Sequence, residues 1–147
     1  MTKDAPPVAV VTGGGGGIGR ALAVRLARDG FAIGVLDRDR AGADATVDVV
    51  AAAGGRASAV TADVTDQSQV RRAFDDLKAR LGPTRVLVNN AGWDVFGMFA
   101  KGDAATWSKI IDVNYKGMLL CTHAALADVA AAGNQGQIGR ASCRERV

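Results

Sequence analysis

The chain is poor in the residues that carry metal and disulfide chemistry. Among its 147 residues there is one histidine, His123, and there are two cysteines, Cys121 and Cys143. Neither cysteine has a partner at ligand or disulfide spacing, so no metal is expected, and a reduced, cytoplasmic setting is the expectation. No run of about 18 apolar residues is present to cross a bilayer, and Met1 to Pro7 is short and polar, unlike a secretory signal. A Walker-type phosphate loop is excluded because Arg20-Ala21 stands where Lys-Ser/Thr is required. The pI is 9.2, yet the basic residues are scattered rather than striped, so neither nucleic acid nor a membrane is an expected partner.

What is present in excess is glycine, 19 residues, on a background that is 48% hydrophobic. The length suits about one domain with a substantial core. The densest stretch is Thr12-Gly13-Gly14-Gly15-Gly16-Gly17-Ile18-Gly19. Two registers fit it: Gly14, Gly16 and Gly19 match G-x-G-x-x-G, and Thr12, Gly13, Gly17 and Gly19 match T-G-x-x-x-G-x-G. A flexible glycine-rich loop is the alternative. The flanks favour a dinucleotide turn, because the apolar run Val8-Ala9-Val10-Val11 precedes it and an amphipathic stretch from Arg20 to Asp29 follows. Glycines there permit tight turning and close approach of a pyrophosphate, and the helix start offers free N–H groups to it.

The rest of the chain repeats this unit. Phe31 to Leu36 reads as a second strand ending in Asp37, about 20 residues past the turn, where an acid that binds a ribose belongs. A solvated loop acid in Asp-Arg-Asp-Arg is the alternative. Ala41 to Ala53 is a helix stopped by Gly54-Gly55. Ala57 to Ala62 is a strand with Asp63-Val64 at its end. Asp66 to Arg80 is a helix capped by Asp66, and Arg85 to Val88 is a strand followed by Asn89-Asn90-Ala91-Gly92. The order predicts an α/β fold, a doubly wound parallel sheet. Asp37, Asp63 and Asn90 then meet at one carboxyl edge, where ligands bind. A long helical region follows from Asp103 to about Ala132, and Gln137-Ile138 resembles the start of a fifth strand.

The series Thr12-Gly13-x-x-x-Gly17-Ile18-Gly19, Asp37, Asp63-Val64, Asn89-Asn90-Ala91-Gly92 and Asn114 in Asp112-Val113-Asn114-Tyr115-Lys116-Gly117 resembles the short-chain dehydrogenase/reductase family in order and spacing, along Val8 to about Ile138. The stretch from Asn89 to Phe96, with the all-glycine loop, looks most like the 2-hydroxycyclohexanecarboxyl-CoA dehydrogenases of that family. The resemblance implies a Rossmann fold with strand order 3-2-1-4-5 and hydride transfer between a nicotinamide and a secondary alcohol or ketone, including a hydroxyacyl-CoA. It implies that Thr12, Gly13, Gly17, Ile18 and Gly19 hold the pyrophosphate and Asp37 the adenosine ribose. Asp63 and Val64 would border the adenine, and Asn90, Ala91 and Gly92 would line the floor near the nicotinamide. Asn114 would bend its helix and hold a water in a proton relay. NAD is expected in preference to NADP, and a dimer or tetramer of identical subunits is expected of the full-length protein.

The chain departs from the family in one respect that bears on chemistry. The family's proton donor is a tyrosine in Tyr-x-x-x-Lys, helped by a serine. Here the only tyrosine, Tyr115, is followed four residues later by Leu119. The run from Ile138 to Val147 lacks the apolar pattern of a fifth strand, and its back-translation reads as a common short-read sequencing adapter. The expectation is a Rossmann domain over 1–137, truncated after the fourth strand and the long helix, with a non-native tail over 138–147. Without that tail the formal charge falls from +3 to +1, because three arginines and one glutamate leave. Such a chain is expected to be inactive and poorly folded, with the fourth strand on an open edge. A non-catalytic NAD-binding sensor module is the competing reading. Cys121 and His123 are read as packing residues, Trp107 as structural, and Arg38, Lys101 and Lys109 as solvated. Trp93 is left open between the substrate mouth and a loop cover.

Overall fold

The protein was analysed as a computed structural model, which describes residues 5–141. The part of the expected tail beyond residue 141, with Cys143, lies outside the described residues. Strands β1 (Val8–Thr12), β2 (Ala32–Asp37), β3 (Ala57–Thr61) and β4 (Thr84–Asn89) alternate with helices α1 (Gly17–Arg28), α2 (Arg40–Ala52) and α3 (Gln67–Leu81). Helices α4 (Ala104–Ile111) and α5 (Gly117–Ala131) follow, joined by a π-helical turn at Asp112–Lys116, and strand β5 (Gln137–Arg140) comes last. The sheet is parallel throughout, in the order β3-β2-β1-β4-β5.

The β-branched, uncharged strands sit where both faces of the sheet are covered. All five residues of β1 are buried. Alternation along that strand sends Ala9 and Val11 to one face, against Ala23 of α1 and Ala43 and Val50 of α2. Val8 and Val10 go to the other, with Val70, Phe74 and Leu77 of α3 and Cys121, Ala125 and Val129 of α5. Burial of these side chains drives the layering at about 25 cal/mol per Å² of apolar surface. Gly30 ends α1 with φ 93°, a left-handed value that favours glycine after a helix.

Strand β5 differs from the expectation. The sequence after Gln137 carries no apolar alternation, yet Gln137–Arg140 pairs with β4 from Val86↔Gln137 to Asn89↔Arg140. All four of its residues are exposed. The reason is that the free edge of β4 offers main-chain donors and acceptors, and any extended segment satisfies them whatever its side chains. The edge of β4 is therefore covered at these positions, against the open edge expected from sequence.

The cap of α3 has a measurable consequence. Asp66 Oδ1 accepts hydrogen bonds from the N–H groups of Gln69 (3.0 Å) and Ser68 (2.8 Å). The Gln69 amide first, then the Ser68 hydroxyl and the Gln69 side chain, pull the carboxyl from 3.8 to about 2. Because the folded value is depressed, its contribution to stability is full above the ordinary carboxylate value and is lost as pH falls through about 2. Urea unfolding at pH 7 and at successively lower pH is expected to show a smaller acid sensitivity in Asp66→Ala than in the parent.

Candidate functional site

The carboxyl edge of the sheet is built around the glycine turn. The chain leaves β1 and reverses at Gly13, whose φ is 63°. A Cβ on Gly13 would lie 2.8 Å from the Ala91 Cα, and one on Gly19 would collide with the Gly13 carbonyl oxygen. Glycine at these two positions lets the turn, α1 and the loop after β4 pack backbone against backbone. Helix α1 then starts after Gly16, which supplies no side-chain cap, and its first turn carries no acid. The first N–H groups of a helix have no partner within it, so this end is open to an anion.

Thr12 and Asn90 tie the turn to β4. Thr12 is buried, at 1% exposure. Its hydroxyl accepts from the N–H groups of Asn90 and Ala91, both at 3.0 Å, and donates to the Val88 carbonyl at 3.5 Å. Asn90 Nδ2 donates to the carbonyls of Thr12 and Gly13, each at 3.0 Å. A hydroxyl has one donor and two acceptor positions, so that of Thr12 is fully engaged inside the protein. The Thr12 hydroxyl thus faces the loop after β4, where it serves as acceptor for two main-chain N–H groups.

Asp37 stands at the end of β2, half-buried. Its Oδ2 accepts from the Gly15 N–H at 2.8 Å and its Oδ1 from the Asp39 N–H at 2.9 Å. Each oxygen retains a further lone pair for a ligand. Asp63, at the end of β3, accepts the N–H (2.8 Å) and hydroxyl (2.7 Å) of Thr65. The Thr65 main-chain bond first, and then its hydroxyl, hold the Asp63 carboxyl below its usual range. It is therefore an anion at neutral pH.

A cavity of about 610 Å³ runs along this edge. Gly13, Asp37, Asp63, Val64, Asn90, Ala91 and Gly92 line it, so seven of the sequence-predicted site residues converge on one space. Gly17 and Ile18 are exposed at the start of α1 and, with buried Gly19, are not among the lining residues. Asn114 lies in the π-helical turn, where the Gly117 N–H reaches back to the Asp112 carbonyl. Asn114 therefore sits where the helical pitch changes between α4 and α5. The Asn114 side chain spans the Trp93 backbone, accepting from its N–H at 3.0 Å and donating to its carbonyl at 2.6 Å. It fixes the loop after Gly92.

Several readings of single residues change. Trp93 lines the cavity, and the Lys109 ammonium sits 4.1 Å from its ring centroid. Lys109 and Arg38 are exposed, as expected, and both also line the same cavity. Cys121 is a core residue whose thiol is pushed up to about 12 by burial, but His123, two positions on, is exposed. Trp107 stacks on Phe99 with centroids 4.8 Å apart. Tyr115 is 59% exposed and is not among the residues lining the cavity.

Three residues that the motifs did not single out also belong to the site. Thr46 is fully buried in α2, and its hydroxyl donates to the Gly14 carbonyl at 2.8 Å. Arg20 donates to the Gly15 carbonyl, to the Gly42 carbonyl (3.3 Å) and, through Nε, to the Thr46 hydroxyl (3.0 Å). A Cβ on Gly42 would come within 2.8 Å of the Gly15 carbonyl oxygen. Only the four-residue spacing of Gly42 and Thr46 on one helix face hinted at this in the sequence.

The sequence profile described as short chain dehydrogenase matches residues 7–142. An uncharacterized oxidoreductase of Methylorubrum extorquens is 42% identical over 135 residues, covering 91% of this chain and 54% of that protein. The (3R)-3-hydroxyacyl-CoA dehydrogenase of Canis lupus familiaris is 37% identical over 139 residues, covering 89% of this chain and 54% of its own. Among solved structures, a 3-ketoacyl-ACP reductase from Sinorhizobium meliloti superposes with a TM-score of 0.85 at 38% identity, over 91% of this chain and 52% of that one. This chain therefore spans about half the length of the relatives it matches. The glycine turn, the acid closing β2 and the Asn-Asn-Ala-Gly loop after β4 occur together on a parallel sheet in the order 3-2-1-4-5, and with these matches they identify the chain as a member of the short chain dehydrogenase family.

Proposed function

We propose that this chain is the cofactor-binding part of an NAD-dependent oxidoreductase acting on a secondary alcohol or ketone. The observation that carries the reading is the Asp37 carboxylate held by the Gly15 N–H at the mouth of the glycine turn. It puts an acid for a ribose beside a helix start for a pyrophosphate. The reading is supported by Gly17, which is exposed at the start of α1, where a Cβ would meet no protein atom within 4 Å, so the helix start is open to solvent. In this reading the start of α1, with Gly13, Gly17, Ile18 and Gly19 and with Thr12 bracing the turn from β1, binds the pyrophosphate. Asp37 orients the ribose, and Asp63 and Val64 border the adenine. Asn90, Ala91 and Gly92 form the floor near the nicotinamide, and Asn114 holds that floor in place through Trp93. The bound nicotinamide supplies hydride chemistry. A hydroxyacyl-CoA substrate is favoured by the likeness to a protein named for that activity. A homo-dimer or tetramer is favoured by Ile111, Tyr115, Leu119 and Leu126, which are all exposed. Among the described residues no helix is long and apolar enough to cross a membrane.

Calorimetric titration of NAD into the 147-residue chain is expected to give saturable binding, and flat titration with a folded chain would end this reading. The same chain is expected to show no NAD-linked absorbance change with secondary alcohols or hydroxyacyl-CoA esters. It holds no Tyr-x-x-x-Lys, and loss of a general acid typically costs about 10²–10⁴ in rate. Extending it through a family-type tyrosine and lysine is expected to restore turnover. A binding-only sensor is the second reading, favoured by the exposed position of the sole tyrosine; continued inactivity of the extended chain would select it.

A further inference from the structure

We infer that Arg20 and Thr46 are positioning residues that set the glycine loop for the cofactor and aim the acid that selects it; this rests on the dinucleotide reading above. Five consecutive glycines have the freest backbone any loop can have, and they carry no side chain with which to hold themselves. The restraint comes instead from behind, from α1 and α2.

The geometry follows from the planar trans peptide, in which the C=O and the N–H of one unit point in opposite directions. The Gly14–Gly15 unit has its carbonyl on the Thr46 hydroxyl at 2.8 Å and its N–H on Asp37 Oδ2, also at 2.8 Å. Holding one end therefore aims the other. Thr46 acts on Asp37 through a single peptide plane. The next unit, Gly15–Gly16, has its carbonyl on the Arg20 guanidinium, which turns the Gly16 N–H away from Arg20.

Arg20 and Thr46 are themselves joined, Nε to Oγ1 at 3.0 Å, and Arg20 also donates to the Gly42 carbonyl; the single Thr46 hydroxyl proton has the Gly14 carbonyl at 2.8 Å as its nearer acceptor and the Gly42 carbonyl at 3.1 Å as the farther one. None of the ion pairs among the described residues uses Arg20. Its positive charge, set against neutral carbonyls, also adds to the attraction for an anion at the loop. Gly42 completes the arrangement by letting α2 approach the Gly15 carbonyl.

The test measures Kd for NAD and NADP, thermal unfolding, and hydrogen exchange of the Gly15 amide without ligand, in the wild type, Thr46→Val, Thr46→Ser and Arg20→Met. Thr46→Val keeps the side-chain shape and removes the donor; Thr46→Ser keeps the donor. Loss of a hydrogen bond of this kind predicts about tenfold weaker NAD binding in Thr46→Val and Arg20→Met. The NAD-to-NADP affinity ratio is expected to narrow, and the Gly15 amide to exchange faster in Thr46→Val. Thr46→Ser is expected to behave as wild type. Should Thr46→Val melt below the assay temperature, Arg20→Lys, which keeps the charge without the planar fork, carries the test with the same expected weakening. Variants that bind both cofactors as wild type does, with unchanged Gly15 exchange, would overturn the inference alone. A folded wild-type chain that binds neither cofactor would overturn the reading beneath it.

Discussion

Gly17→Val is expected to abolish NAD binding while leaving the sheet formed. Gly17 begins α1 with φ 50°, and a Cβ built there meets no protein atom within 4 Å. The added Cβ itself therefore strikes no protein atom. Its costs are the strain of a β-branched residue in the left-handed region, about 1–2 kcal/mol, and the bulk of an isopropyl group at the helix start. That bulk occupies the space in which the proposed reading seats a pyrophosphate, and it screens the N–H groups of the first turn. Gly19→Ala is the informative contrast. Its methyl group would strike the Gly13 carbonyl, so it should damage the turn itself and lower the melting temperature more than its size suggests. Titration of NAD into both variants, with thermal unfolding alongside, checks the pair. Wild-type affinity in Gly17→Val would show that the anion site lies elsewhere.

The second large effect expected is a preference for NAD over NADP. Asp37 is held by the Gly15 and Asp39 N–H groups, so its carboxylate cannot easily turn away from an added 2′-phosphate. Two unit charges about 4 Å apart at an effective dielectric near 20 repel by roughly 4 kcal/mol before salt screening. Gly16 offers no basic side chain to oppose this. Arg38 is the opposing charge to consider, since it lines the same cavity. Asp37→Ala is expected to narrow the preference chiefly by weakening NAD, because the ribose hydroxyls lose their acceptor. Competitive titration of both dinucleotides against wild type and Asp37→Ala measures this, and an NADP preference of about tenfold or more in the wild type would contradict the assignment of Asp37.

The readable part of the site consists of residues whose chemistry is local. Asp37 was legible because an acid closing the second strand has few other reasons to stand about 20 residues past a glycine turn. The glycine turn was legible from its flanks, although its register was not. Gly13 and Gly17 take positive φ, which agrees with the T-G-x-x-x-G-x-G alignment, but five identical residues give no sequence signal for that choice. Asp66 was legible as a cap because its partners lie two and three residues away. Lys109 and Trp93 were not, since they are 16 positions apart and meet only because α4 and the loop after β4 line the same cavity.

By itself, then, the sequence determined the alternating strands and helices of a layered parallel sheet and the carboxyl edge at which Asp37, Asp63 and Asn90 meet, because hydrophobic periodicity and turn residues act over short spans of chain; the strand order came with the family resemblance. The tertiary structure alone decided which way those residues face and what holds them. It turned the Thr12 hydroxyl inward to the β4 loop, set Thr46 and Arg20 behind the glycine carbonyls, and paired β5 with β4 without an apolar pattern. These outcomes share a physical reason. Each satisfies main-chain donors or acceptors contributed by a distant segment, and a peptide group carries no side-chain identity by which sequence could announce its partner.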